Sequence, residues 1–295
     1  MHDDNDPIDG TTNALTRRDF VAMSLAVVAA ATATASAAGR AVTETDVVIQ
    51  TPDGSCDCAF IYPSTGAHAA IIIWPDAFGL RVSMREMAKR LANEGYSVLV
   101  PNPYYRVAKS PVFTDISKFS FSNPADRTKL TPLMGSIGAD GTAERDVVAF
   151  VAWLDKQKSV DPSKKIGTQG YCMGGPLVFR TAAAVPNRVG AVASFHGGGL
   201  VTDTPNSPHL LIPKMRARLY VAVASNDDSR QPTAKDTLKE AFKKAGRSAQ
   251  VEVYKSLHGW CVPDMPADAN GPIYNQPEAE QAWTTLLALY KTALA

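Results

Sequence analysis

The chain has 295 residues, of which 45% are hydrophobic and 20% are charged, as in an ordinary globular protein. Its 30 lysine and arginine residues almost balance its 29 aspartate and glutamate residues, which gives no electrostatic reason to expect nucleic acid as a partner. Once a leader is removed, the remaining length fits one α/β domain better than two.

The N-terminal part of the chain has the features of an export signal. Arg17 and Arg18 precede an uncharged stretch rich in alanine and threonine, which closes with the small-residue sequence A-S-A ending at Ala37. This order predicts a twin-arginine signal peptide over residues 1–37 and an exported, periplasmic or extracellular domain over residues 38–295. A disordered tail followed by a weak membrane helix is the alternative, but the stretch is a poor candidate for a stable membrane anchor.

Strands and helices alternate along the rest of the chain. Continuous apolar runs that stop at proline or glycine predict buried strands, and apolar residues at helical spacing predict the helices between them. The predicted strands lie within residues 45–54, 56–64, 69–79, 97–106, 164–171, 189–198, 217–228 and 249–257, and the predicted helices within 81–96, 142–157, 176–185, 233–246 and 276–295. The alternation predicts a mainly parallel sheet covered on both faces.

Residues 107–140 follow neither pattern. They combine polar residues, proline and glycine with scattered aromatic residues. A long connection inside a compact domain is usually a functional loop or a small cap, so we expect one of these here.

One cysteine lies where a predicted strand gives way to a helix. The sequence Gly170-Tyr171-Cys172-Met173-Gly174 has the form G-x-C-x-G, the nucleophile-elbow pattern with cysteine in place of serine. Glycines are needed two residues before and after a nucleophile on such a sharp turn, because side chains there would collide. The turn also places the sulfur at a helix N-terminus, which favours thiolate. A core cysteine between two glycines is the structural alternative.

Two polar residues that follow later strands complete the order nucleophile, acid, histidine. Asp228 follows one predicted strand and lies four residues before Pro232, and His258 follows the last predicted strand. An imidazole in that loop can accept the thiol proton, and a carboxylate can hold its tautomer. The adjacent Asp227 is the rival acid; the spacing to Pro232 favours Asp228.

With these residues, the chain resembles the dienelactone hydrolase family, carboxymethylenebutenolidase-like α/β-hydrolases with a Cys-His-Asp triad. The matching stretches run in the family's order from residue 46 to the C-terminus and are "WPDAFGL", "GYSVLVPNPYYR", "GYCMGGPLVFR", "SNDDSRQP" and "LHGW". The resemblance implies an α/β-hydrolase fold with Cys172 as nucleophile, His258 as base and Asp228 as its orienter. It also implies an oxyanion hole made by the backbone N–H groups of Ala77 and Met173.

Two positions depart from the family pattern. The family usually has glutamate where this chain has Asp76, a carboxylate that contacts the resting thiol. We expect the shorter Asp76 to keep the resting thiol neutral until substrate moves the carboxylate away, because a nearby anion disfavours thiolate. We call this the gating role of Asp76. The family's lactone hydrolases also carry an arginine four residues after the catalytic histidine, where this chain has Val262. The resemblance therefore implies hydrolase chemistry but not dienelactone as the substrate.

Other residues near the expected cleft have two interpretations each. Tyr104, Arg106 and Trp260 are candidate substrate-binding residues, with aromatic packing in loops as the alternative. His196 lies at a strand end, and we interpret it as a structural histidine rather than as part of the cleft.

Three hypotheses for the function follow. The leading one is an exported monomeric enzyme that hydrolyses a small-molecule ester, lactone or thioester through Cys172 and an acyl-enzyme, with no metal or organic cofactor. The second is an exported binding protein on a hydrolase scaffold with a vestigial triad. The third is a redox function of Cys172, for which Cys261 would be the resolving cysteine.

Cys56 and Cys58 lie two apart in a strand and fit ordinary packing better than a disulfide or a zinc site.

Overall fold

Eight strands form one sheet at the centre of residues 40–295, the part of the chain that this computed structural model describes. The predicted signal peptide, residues 1–37, and its cleavage site lie outside the described residues. The strands are β1 Val42–Thr51, β2 Gly54–Pro63, β3 Ala70–Trp74, β4 Ser97–Pro101, β5 Ile166–Tyr171, β6 Val189–Phe195, β7 Arg218–Ala224 and β8 Ala249–Tyr254. Their order across the sheet is β1-β2-β4-β3-β5-β6-β7-β8.

The sheet is parallel from β4 to β8, and β1 and β2 join it as an antiparallel hairpin. The helices that connect the strands are α1 Val82–Asn93, α2 Pro124–Gly138, α3 Thr142–Leu154, α4 Gly174–Ala184, α5 Ser225–Arg230, α6 Ala234–Lys244 and α7 Gln276–Ala293, with a 3₁₀ helix at Pro208–Lys214. Across residues 40–295, no helix combines the length and apolar character needed to cross a bilayer.

Strand β3 shows how the sheet is buried on both faces. Ile72 and Trp74 belong to the hydrophobic cluster beneath α3, α4 and α6, whereas Ile71 and Ile73 belong to the cluster beneath α1 and α7. All four side chains are fully buried. The alternation follows from the strand period of two, and the continuous apolar run is the consequence of having helices on both sides. The predicted mainly parallel sheet, covered on both faces, is therefore confirmed.

Most predicted elements are present in the structure. The sequence pattern did not reveal three elements: the 3₁₀ helix Pro208–Lys214, α5, which replaces the end of the strand predicted over 217–228, and, inside the segment 107–140, α2. Its interior contains Pro132, which removes a backbone donor, and its apolar residues have no clear helical period. The predicted packing of Cys56 and Cys58 is confirmed: both are buried on one face of β2, with their sulfur atoms 3.6 Å apart.

The parallel strands all end at the same edge of the sheet. The segments that follow β3, β5, β7 and β8 therefore meet there, although they are far apart in the sequence. This edge is where open α/β sheets place their ligand sites.

Candidate active site

Cys172 lies on the predicted sharp turn between β5 and α4. Its φ angle of +50° is in the left-handed region, which is uncommon for a residue with a side chain. A Cβ atom at Gly170 would lie 2.1 Å from the Gly174 carbonyl oxygen, and one at Gly174 would lie 2.3 Å from the carbonyl oxygen of Trp74. Both glycines are thus required by close backbone approach, and the strand–turn–helix geometry of the elbow is confirmed.

His196 supports this turn from the end of β6. The Cys172 N–H donates to His196 Nδ1 at 3.1 Å and to the Phe195 carbonyl oxygen at 3.0 Å. His196 is fully buried and also has a positive φ, +39°. Burial and the neighbouring His258 hold the pKa of His196 well below its usual value, so the ring is neutral and free to accept this bond. His196 therefore positions the backbone of Cys172 from behind the site.

His258 hydrogen-bonds Asp227, not Asp228. The distance from His258 Nδ1 to Asp227 Oδ2 is 2.6 Å, whereas Asp228 binds Lys235 Nζ at 2.7 Å. The preference for Asp228 is therefore wrong for this geometry. The reason is that β7 ends at Ala224 and the helix α5 begins at once, so successive side chains point about 100° apart. One residue decides which aspartate faces the histidine loop.

Two neighbours stabilise the charged form of His258. Burial lowers the pKa of its imidazole, but the hydrogen bond with Asp227 and the nearby Cys172 side chain outweigh burial and raise the pKa to about 10. The His258 backbone N–H also donates to Asn226 Oδ1 at 2.9 Å, which fixes the loop to α5. The arrangement gives Cys172 a neighbouring base that holds a proton readily.

Cys172 and His258 line the same cavity, which has a volume of about 340 Å³. This is within the range of small-molecule sites. Its apolar wall consists of Ala77, Phe78, Phe121, Met265 and Ile273, and its other polar residues are Asp76, Asn226 and Arg230. Phe121 comes from the segment 107–140, so that segment forms part of the cavity wall, as a functional loop or cap would.

None of the three predicted substrate-binding residues lines this cavity. Tyr104 is buried, and its hydroxyl donates to the Ala77 carbonyl oxygen at 2.8 Å and lies 3.3 Å from the Met173 sulfur. Arg106 binds Asp146 and Asp53 on another part of the surface. Trp260 is buried and stacks on Tyr254. Tyr104 thus acts from behind the wall by fixing Ala77, and the assignment of the three as substrate contacts is wrong for this geometry.

Asp76 lines the cavity, but its carboxylate is held by Arg81. The two side chains form a paired contact with N–O distances of 2.8 and 3.0 Å, and the Phe78 N–H also donates to Asp76. Arg81 binds Asp264 as well, at 2.7 Å. Burial lowers the pKa of Arg81, but Asp76 and Asp264 raise it by more than burial lowers it, so Arg81 stays a cation. Within residues 40–295 no hydrogen bond joins Asp76 to the Cys172 thiol, and the expected gating role remains a prediction.

The sequence reasoning missed Arg81, Asp264 and most of the cavity wall. Arg81 ties the loop after β3 to the loop that carries His258, across 183 residues of sequence. For Arg230, which lines the cavity, the stretch "SNDDSR" holds a local signal, because Asp227 and Arg230 are three residues apart and can pair on one helix face. The rest of the wall comes together only through the fold.

Comparison with known proteins identifies the family of the chain. The model of the dienelactone hydrolase family matches residues 58–294. The chain belongs to the dienelactone hydrolase family. It is therefore a hydrolase of the carboxymethylenebutenolidase-like type, acting on ester or lactone bonds, and its fold is the α/β-hydrolase fold.

Relatives of this dienelactone hydrolase-family chain include two enterobacterial proteins, each named "putative carboxymethylenebutenolidase". The one from Escherichia coli strain K12 is 25% identical over 267 residues, which cover 83% of this chain and 90% of the relative. The one from Salmonella typhi is 26% identical over 231 residues, which cover 76% of this chain and 77% of the relative.

Solved structures show the same fold. A dienelactone hydrolase-like promiscuous phosphotriesterase from metagenomic libraries matches with a TM-score of 0.70 and 22% identity, covering 86% of this chain and 100% of that one. The dienelactone hydrolase from Anabaena variabilis matches with a TM-score of 0.56 and 17% identity, covering 86% of this chain and 99% of that one.

Proposed function

We propose that this chain hydrolyses small-molecule esters or lactones through a thioester acyl-enzyme on Cys172. The observation that carries the proposal is a strained cysteine at the start of α4 that shares a cavity with an imidazole bound to Asp227. Backbone strain of this kind is costly and clusters at sites where it serves a reaction. In this proposal Cys172 is the nucleophile, His258 the base and Asp227 the residue that orients it.

The reaction has two halves. With the Cys172 proton already on His258 Nε2, as the raised pKa of His258 favours, the sulfur bonds to the substrate carbonyl carbon, and the π electrons move to the carbonyl oxygen. The carbonyl then re-forms, the bond to the leaving oxygen breaks, and His258 gives that oxygen the proton. Water next attacks the thioester while His258 takes its proton and passes it to the departing sulfur. Asp227 keeps the proton on Nδ1 and stabilises the imidazolium.

The backbone N–H groups of Ala77 and Met173 would stabilise the oxyanion. Within residues 40–295 neither N–H has a hydrogen-bond acceptor. The close packing of Gly174 on Trp74 and Pro75 brings the start of α4 against the loop that contains Ala77. Two such donors aimed at the developing charge typically account for a large part of acyl-transfer catalysis.

The test is to trap the acyl-enzyme. With p-nitrophenyl acetate, the protein should release a burst of one p-nitrophenolate per active site, and peptide mapping should place the acetyl group on Cys172. Cys172→Ala should lower kcat/KM by roughly 10³-fold or more. Cys261→Ala is the matched control, because Cys261 is buried outside this cavity. Full activity in Cys172→Ala would refute the proposal.

The same experiment tests the second hypothesis, a binding protein with a vestigial triad. Such a protein would bind esters without a burst and without turnover. The family match supports a hydrolase and gives no support to this alternative.

We also propose that the protein is exported by the twin-arginine route. The support is the order of Arg17, Arg18, the uncharged stretch and the A-S-A site that ends at Ala37. Because this route carries folded proteins, Arg17→Lys with Arg18→Lys should leave active precursor in the cytoplasm. Cell fractionation measures this, and unchanged export of the double variant would refute the assignment.

A further inference from the structure

The wall of the cavity beside Cys172 is mostly apolar. Phe78, Phe121 and Met265 contribute large side chains to it, and Ala77 and Ile273 complete the apolar part. The volume of about 340 Å³ leaves room for a six-membered ring next to the carbonyl group that Cys172 would attack. Apolar walls of this kind recognise substrates by burying matching apolar groups.

Phe121 is the exposed end of an aromatic cluster. Phe78 packs on Phe119 with centroids 4.9 Å apart at 83°, and Phe119 packs on Phe121 at 5.0 Å and 66°. Phe78 and Phe119 are buried, but Phe121 is 47% exposed. A ring that packs on a buried aromatic neighbour is thus left partly uncovered at the cavity, where a bound substrate would cover it.

Two features favour an aromatic ring over an aliphatic one in this place. Most pairs in the cluster are edge-to-face, and a further aromatic ring against Phe121 would extend them with an attraction beyond its buried area. On the wall, Met265 adds a polarisable sulfur, which interacts well with aromatic rings.

The charges at the cavity are already paired within the protein. Arg230 binds Asp227 at 3.1 Å, and Arg81 holds Asp76 at 2.8 Å. Each of these arginines therefore already binds a carboxylate, and an anionic substrate group would have to compete with Asp76 or Asp227 for it, whereas a neutral ring would not.

We infer that the natural substrate carries a neutral aromatic ring near its ester or lactone group and that Phe121 and Met265 hold this ring. The inference rests on the hydrolase function proposed above. It names the substrate class that the family match leaves open.

The test compares methyl esters whose leaving group is the same. The substrates are methyl 3-phenylpropanoate, methyl 3-cyclohexylpropanoate, methyl butanoate and methyl 3-(4-carboxyphenyl)propanoate, and proton release reports the rate. The phenyl ester should exceed the butanoate in kcat/KM by about tenfold or more. It should also exceed the cyclohexyl and the carboxyphenyl esters. Equal or faster hydrolysis of either of these two would overturn the inference.

Variants locate the preference in the wall. Phe121→Ala should remove most of the phenyl-to-butanoate ratio, and Phe121→Leu should bring the phenyl and cyclohexyl esters to similar rates. Phe113→Ala is the matched control: its ring packs on Phe78 at 5.8 Å but lies outside the cavity wall. The phenyl-to-butanoate ratio should persist in Phe113→Ala, and an equal loss in both alanine variants would overturn the role of Phe121.

The outcomes also separate this inference from the proposed function. If all four methyl esters react at similar rates and Cys172 is still acylated, the ring preference fails and the hydrolase proposal stands. If p-nitrophenyl acetate gives neither burst nor adduct, the hydrolase proposal itself fails.

Discussion

The two sides of the cavity that Cys172 and His258 line are built differently. On one side, Cys172, Asp227 and His258 each lie within four residues of the end of a strand of the central sheet. On the other side, Phe121 belongs to the segment 107–140, whose helix α2 buries only Asp126, Leu130 and Ile137. The strand-end side holds the proposed reacting groups where the parallel strands end, and the 107–140 side supplies a wall from a less buried part.

We expect the strand-end side to carry out the reaction and the 107–140 side to select the substrate. Catalytic groups need fixed geometry, which strand ends packed by helices on both faces provide. A wall on a surface segment can change its side chains without disturbing the sheet. We therefore expect substitutions on the strand-end side to abolish turnover or folding and those on the other side to change substrate preference.

On the strand-end side, we expect the largest effect, a loss of activity, from one of two adjacent aspartates and not from the other. Asp227→Asn should lower kcat/KM by roughly 10²–10⁴-fold, because His258 would lose the carboxylate that holds its tautomer and its charge. Asp228→Asn should remove only the partly exposed ion pair with Lys235, which is worth at most about 1 kcal/mol of stability. Steady-state kinetics on one ester measures both, and a reversed order would contradict the hydrogen bond between Asp227 and His258.

Close packing at the elbow gives the next effect. Gly174→Ala should lower the free energy of unfolding by about 1–3 kcal/mol or more, because its Cβ would lie 2.3 Å from the Trp74 carbonyl oxygen. Gly198→Ala is the matched control, since its Cβ would meet no atom within 4 Å. Urea unfolding should show the control within about 0.5 kcal/mol of the wild type. Equal stability of the two variants would mean that the elbow is looser than described.

The proton on His258 gives a smaller, pH-dependent effect on stability. Its pKa is about 10 in the folded protein against an ordinary value of 6.5, because Asp227 and Cys172 outweigh the effect of burial. The stability from this group is therefore complete below pH 6.5 and is lost as the pH rises through 10. Urea unfolding across this range should show the wild type losing stability relative to His258→Gln. A pH-independent difference would contradict the raised pKa.

The smallest effect needs no substitution. Backbone amides of α2 should exchange with deuterium faster than those of α4, because α2 buries few side chains and is interrupted by Pro132. Hydrogen exchange followed by mass spectrometry compares the two helices in one sample. Slower exchange in α2 would remove the proposed contrast between the two sides of the cavity.

The gating role of Asp76 stays a prediction, but the structure shows that Arg81 binds the Asp76 carboxylate. Because Arg81 and Asp264 hold the Asp76 side chain in one network, a movement of Asp76 toward the thiol would break two short contacts with Arg81. Any gating therefore involves Arg81, a residue that the sequence reasoning did not consider.

The sequence by itself determined the fold class and the position of the elbow. Buried parallel strands must be apolar on both faces, and a sharp turn under a helix needs glycine at positions 170 and 174. The apolar runs and the approach of Gly170 to Gly174 concern residues close in sequence, so they are written in local patterns, whereas Gly174 must also leave room for the distant Trp74. The loop that carries His258 is also a local feature, because it follows the last strand, which ends at Tyr254.

Only the tertiary structure decided which aspartate faces His258 and which side chains line the cavity. The choice between Asp227 and Asp228 depends on where α5 starts after β7, because each residue along a helix turns the side-chain direction by about 100°. The spacing to Pro232 does not give this starting point. The wall joins Phe78, Phe121 and Met265 from three distant segments, and the packing of the aromatic cluster sets which ring stays exposed. Such contacts depend on side-chain packing across the whole fold, and no local pattern in the chain encodes them.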